Sequence, residues 1–193
     1  MKRVATCALL MFANILLAQA GRPIETDDAS VTALRTCQLD FWTETSLEVR
    51  QDNFNGGCNF LGNGEFSLGL GAVHGNPEGQ TLSSLGYKHI FKHFTDSTAG
   101  YGLAASREWG RLKSTDESSQ ETLLTTIASV PLRGEDLLLH LNLGYLQYSD
   151  QTQNDNSIFK AAALDYSLNE RIGFSVETYS GVEDALSWRI GAR

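Results

Sequence analysis

The sequence predicts an all-β protein, an antiparallel up-and-down transmembrane β-barrel of about ten strands preceded by a cleavable signal peptide. Three observations predict it. The first twenty residues have the layout of a secretory leader. From residue 36 onward apolar and polar residues alternate with period two, in segments bounded by Gly, Asn, Asp, Ser and Pro. Those segments run to about 9 to 13 residues, the length a tilted strand needs to cross a bilayer, whereas strands of soluble proteins are nearer five or six.

The leader opens Lys2-Arg3, continues through an apolar run from Val4 to Leu17 and ends Ala18-Gln19-Ala20, which places cleavage between Ala20 and Gly21. An apolar run of about 13 residues is too short for a spanning helix, which needs ~20. Cys7 lies inside the run and not at the cleavage point, so no lipid anchor is expected. The chain therefore divides into a signal peptide (1–20), an N-terminal periplasmic segment (21–35) and a β-barrel domain (36–193). The expected location is the bacterial outer membrane, with the periplasm as the alternative.

Fifteen Lys and Arg stand against 23 Asp and Glu. Loss of Lys2 and Arg3 with the leader moves the formal charge from −8 to about −10. Such an acidic chain is a poor partner for nucleic acid, and none is expected. Cleavage also leaves two cysteines, Cys37 and Cys58. An oxidising compartment favours their pairing. Cys37 opens the first expected strand and Cys58 closes the second, so a hairpin turning near Leu47 sets them opposite each other. Two cysteines 21 residues apart, with no close histidine, make a poor zinc site. His74, His89, His93 and His140 show no repeating ligand spacing, and no metal or cofactor is expected.

Ten strands are expected, at about 36–46, 48–58, 64–75, 81–93, 98–109, 120–131, 136–148, 156–167, 171–180 and 184–193. The third sets Phe66, Leu68, Leu70 and Ala72 on one face and Glu65, Ser67, Gly69 and Gly71 on the other. The seventh sets Leu137, Leu139, Leu141, Leu143 and Tyr145 against Leu138, His140, Asn142, Gly144 and Leu146. The ninth opposes Ile172, Phe174 and Val176 to Gly173, Ser175 and Glu177, and the tenth opposes Leu186, Trp188 and Ile190 to Ser187, Arg189 and Gly191. In a membrane barrel the apolar face meets lipid and the polar face lines the lumen. Membrane barrels also have short periplasmic turns and longer outer loops, and the polar stretches Gly110–Ser119 and Ser149–Asp155 are expected as the two longest outer loops.

The segments Gly21-Arg22-Pro23-Ile24-Glu25-Thr26-Asp27-Asp28-Ala29 and Thr36-Cys37-Gln38-Leu39-Asp40-Phe41-Trp42 resemble the start of proteobacterial outer-membrane barrels of the meta-pathway of phenol degradation family. His140-Leu141-Asn142-Leu143-Gly144-Tyr145-Leu146 and Glu177-Thr178-Tyr179 are similar to further motifs of that family. The resemblance implies an outer-membrane barrel with outer-membrane lipid around it and a channel for small, apolar or aromatic solutes. It brings no catalytic residues. The segment matching Arg189–Arg193 continues in that family into further strand sequence, so a complete relative has ten to twelve strands.

The expected lumen-facing residues are Asp40, Trp42, Glu65, His140, Asn142, Asp165, Glu177 and Arg189, with Arg189 a partner for Glu177 on the neighbouring strand. Charges in a small lumen require partners or water. They serve either as an ionic network holding the barrel closed or as the lining of a narrow selective path. Ser129, His140 and Asn142 lie on adjoining strands, but there is no Gly-x-Ser-x-Gly, phosphate loop or dinucleotide fingerprint, and no enzyme is expected. Two other classes remain. One is a soluble lipocalin-like periplasmic barrel whose apolar face encloses a small ligand, and the other is a structural outer-membrane barrel without transport.

Overall fold

The computed structural model describes residues 26–45, 49–75, 79–115, 117–169, 172–181 and 186–192. The leader and its cleavage site at Ala20 and Gly21 lie outside the described residues. Ten strands follow one another: β1 (Thr36–Thr45), β2 (Val49–Asn59), β3 (Gly64–Gly75), β4 (Gln80–Lys92), β5 (Gly100–Leu112), β6 (Ser118–Arg133), β7 (Leu137–Ser149), β8 (Asn154–Asn169), β9 (Ile172–Ser180) and β10 (Leu186–Ala192). Each pairs antiparallel with the next, in one sheet of order β1 to β10.

Alternation is visible in burial. Along β3, Phe66, Leu68 and Leu70 are exposed while Glu65, Ser67 and Gly69 are half-buried. Along β7, Leu141, Leu143 and Tyr145 are exposed while His140, Asn142 and Leu146 are buried. The sheet curls so that its concave side holds the polar set, and what would be core in a soluble sandwich faces outward. Buried apolar residues form two small clusters on the concave side, Ala29 with Ile90 and Ile127, and Leu146 with Phe159 and Ala161.

Two expectations are corrected. The stretches 110–119 and 149–155 are not long loops, because β5 continues to Leu112 and β6 begins at Ser118, while β7 continues to Ser149 and β8 begins at Asn154, so that each pair is joined by a short hairpin. Polar side chains read as loop, but ladder hydrogen bonds use the backbone and tolerate them, as Gly110 opposite Ser119 and Tyr148 opposite Asp155 illustrate. The connection 93–99, at the opposite end, is longer than either hairpin, so loop length does not orient the sheet. Second, the sheet is a curled half-barrel and not a closed one, since among the described residues no ladder joins β1 to β10. The two edges still meet through side chains, with Arg189 Nη2 3.4 Å from Glu44 Oε2.

The expected disulfide is present. Cys37 and Cys58 are direct register partners with Cα atoms 4.1 Å apart. They sit on the outward face, where they tie edge strand β1 to β2. Phe41 and Phe54, also register partners, stack four residues along with ring centroids 4.9 Å apart.

Candidate functional site

Residues 26–35 do not leave the sheet. They run across its concave side and are held by side chains from β3, β4, β6, β7 and β9. Before β1 the chain turns at Arg35, which has φ of 62° and donates its amide to the Asn59 carbonyl at 2.7 Å. Asn59 is buried and ties this turn to its own hairpin, with Nδ2 donating to the carbonyls of Thr32 and Gly62 at 2.6 and 2.7 Å. A segment without a ladder must satisfy its backbone groups otherwise, and here inward side chains take that role.

The contacts follow in chain order. Thr26 donates from N and Oγ1 to Glu177 Oε2 at 3.1 and 3.0 Å. Asp27 donates its amide to Asn142 Oδ1 at 2.6 Å, and Asn142 Nδ2 donates back to the Asp27 carbonyl at 2.9 Å. One primary amide thus matches one peptide unit, as a neighbouring strand would. Ala29 donates to Ser129 Oγ at 2.7 Å and packs its methyl among Ile90 and Ile127. Thr32 donates to Glu65 Oε2 at 2.7 Å.

Lys88 supplies the charge. Its Nζ lies 2.8 Å from Asp27 Oδ1 and 3.7 Å from Asp28 Oδ1, with the lysine side chain 16% exposed. Asp28 also accepts from Ser30 N and Oγ at 3.0 and 2.5 Å. Desolvation pushes the Asp28 carboxyl up, but Lys88 and the Ser30 hydrogen bonds outweigh it and hold the group below the ordinary Asp value. For Asp27 desolvation wins over Lys88, and the carboxyl is raised.

Ser129 Oγ also lies 2.8 Å from His140 Nδ1. The pair has the separation of a nucleophile and base, yet Ser129 is fully buried and its oxygen already receives the Ala29 amide. This geometry anchors the segment.

Of the sequence-predicted residues, Glu65, His140, Asn142 and Glu177 surround the segment. Asp40, Trp42, Asp165 and Arg189 lie elsewhere on the concave side. Asp40 accepts from Gln38 at 2.9 Å, Trp42 donates Nε1 to Glu44 at 2.9 Å, and Asp165 stands opposite Ser175 in register. Arg189 is the register partner of Glu177; its guanidinium also reaches Glu44 and lies 5.0 Å from the centroid of the Tyr179 ring, and Glu177 also receives Thr26. Sequence reasoning missed Lys88, Ser129 as an anchor, and the segment itself. The acidic pair Asp27-Asp28 beside an inward lysine was the available signal. Among the described residues no three His, Cys, Asp or Glu side chains converge as a metal set.

No curated protein and no solved structure matches the chain. A family comparison does match, over residues 8–190, which span nearly all of the strands and the inward segment. The chain thus belongs to the family described as uncharacterised conserved protein UCP029691.

Proposed function

We propose that this protein is a β-barrel of the bacterial outer membrane with a narrow polar path for small solutes, obstructed by residues 26–32. The observation that carries the reading is the outward face. Large apolar side chains stand exposed on strand after strand, from Phe41 at 80% and Leu68 at 64% to Leu143 at 57% and Trp188 at 71%. A soluble monomer rarely exposes contiguous apolar surface beyond a few hundred Å², whereas lipid takes it up at no cost. A lipocalin-like binder would enclose that face, and here the enclosed face carries Glu177, Asn142, Lys88 and Ser129 instead. The leader-like N-terminus supports export. The resemblance to the phenol-degradation family adds small apolar or aromatic compounds as the solute class.

A barrel without transport is the second reading, favoured by the segment that fills the concave side. Fractionation and conductance test both. The full chain is expected in the outer membrane, with heat-modifiable gel migration. In planar bilayers the wild type is expected to conduct weakly, and the Lys88→Ala, Asn142→Ala variant to conduct severalfold more. Recovery in the periplasm without detergent contradicts the membrane reading. Insertion with unchanged conductance supports the barrel without transport.

A further inference from the structure

The contacts that hold residues 26–32 are of two kinds, and most are made to the segment's backbone. Glu177 takes the Thr26 amide, Asn142 takes the Asp27 amide and donates to its carbonyl, and Ser129 and Glu65 take the amides of Ala29 and Thr32. Residues of almost any type offer those groups, so this part of the array reads an extended chain. Side chains are read at fewer positions. Lys88 Nζ lies 2.8 Å from Asp27 Oδ1 and 3.7 Å from Asp28 Oδ1, and Ala29 is fully buried against Ile90 and Ile127, which favours a small side chain. Main-chain hydrogen bonds for affinity, with a few side-chain positions for selectivity, are the means by which proteins bind extended peptides.

The wall does not need the segment to complete its ladders. β3, β4, β6, β7 and β9 each pair with a strand on both sides, and what they give the segment is side chains. Several of those side chains also have a neighbour within the wall. Glu65 is the register partner of Lys88 and Glu177 that of Arg189, while Ser129 Oγ lies 2.8 Å from His140 Nδ1. With the segment gone, each of these charges still faces one of opposite sign, which limits the cost of an empty site. The segment is also imperfectly accommodated where it joins the sheet. Among the described residues Thr32 Oγ1 is buried without a hydrogen-bond partner. Arg35, at the junction with β1, has φ of 62°, a conformation that is unfavourable for residues with a side chain.

We infer that the concave side is a binding site for short extended peptides, with an acidic residue facing Lys88 and a small residue two places further on, and that residues 26–32 are its resident occupant. This goes beyond the obstruction proposed above, because the segment then stands in the place of a peptide that arrives free in solution and displaces it. Binding is read in detergent or in buffer alike, so the site does not rest on the membrane reading and the two can fail separately.

Fluorescence anisotropy of a labelled peptide of residues 26–33, added to the full chain, tests the site. A chain carrying Asp27→Lys with Asp28→Lys holds its own segment less tightly and is expected to bind the peptide saturably. Its affinity should exceed that of the wild type roughly tenfold or more, because the tethered wild-type segment competes at high effective concentration. Adding Asn142→Ala to the same chain is expected to weaken binding roughly tenfold. A peptide that itself carries Asp27→Lys with Asp28→Lys is expected not to bind. Circular dichroism reports the strand content of each variant. If the charge-reversed chain does not fold, wild-type chain with millimolar peptide is expected to show faster proteolysis between residues 26 and 35, as its own segment is displaced. An absence of saturable binding to a folded charge-reversed chain overturns the site, as does equal binding after Asn142→Ala. Pairs of wild-type chains that come apart on adding the peptide assign the site to the segment of a second copy and overturn the free-peptide assignment.

Discussion

Lys88 is the cation around which the inward segment is arranged. Two aspartates share it, and both carboxylates keep over a third of their surface open to solvent, so screening reduces the attraction. Lys88→Ala is expected to destabilise the folded protein by about 1 to 2 kcal/mol, less than a fully buried pair would lose. Denaturant titration in detergent measures it. Asn142→Ala removes both hydrogen bonds to the Asp27 peptide unit and is expected to cost about 1 to 3 kcal/mol. Limited proteolysis between residues 26 and 35 should report the loosened segment before the sheet opens. Acid should loosen it as well. The folded Asp28 carboxyl is depressed, so its contribution is fully present above the ordinary value of 3.8 and is lost as pH falls through the lower folded value. Asp27 is raised and works in the opposite sense, so its protonation removes a penalty and partly offsets the loss. Protease sensitivity of the segment is therefore expected to rise as pH falls below about 3.8.

Two devices fix individual strands. β1 has a ladder on one side, and the Cys37–Cys58 disulfide ties it to β2 on the outward face. Cys37→Ser with Cys58→Ser is expected to lower stability by about 2 to 4 kcal/mol. Hydrogen exchange should rise first in Thr36–Phe41. At the start of β5, a Cβ on Gly102 would collide with the His89 carbonyl oxygen, beside the irregularity at Ile90 and Lys92. Gly102→Ala is thus expected to cost about 1 to 3 kcal/mol, read as a lower denaturation midpoint. The strands and their faces were legible in the sequence because the side-chain period is two, and Phe66 against Glu65 or Leu141 against His140 shows it locally. The ends of β5 and β6 were not, because Arg107 to Ser119 alternates without an apolar face. The route of residues 26–35 was not legible either. It depends on Asn142, Ser129 and Glu177, which lie more than 90 residues away in sequence, and no local pattern encodes such pairings.

At the scale of the whole molecule the sheet is inside out relative to a soluble sandwich. Apolar residues form its convex surface, and polar residues with a piece of the chain's own N-terminal region fill its concave side. Near the turn at 60–63, Phe66, Tyr87, His89, Phe91 and Tyr101 form a row of rings with centroids 4.7 to 6.3 Å apart. At the other end Arg107, Trp109 and Arg111 close the belt. On the membrane reading proposed above, this layout would place a lipid-facing wall between two interfaces. The most direct test of that layout uses single-tryptophan variants in vesicles whose acyl chains carry bromine, a short-range quencher. With Trp188 alone, which points outward at 71% exposure, fluorescence is expected to fall strongly. With Trp42 alone, which donates to Glu44 on the concave side, it is expected to change little. Equal quenching of the two, or quenching of Trp42 above Trp188, would contradict the account.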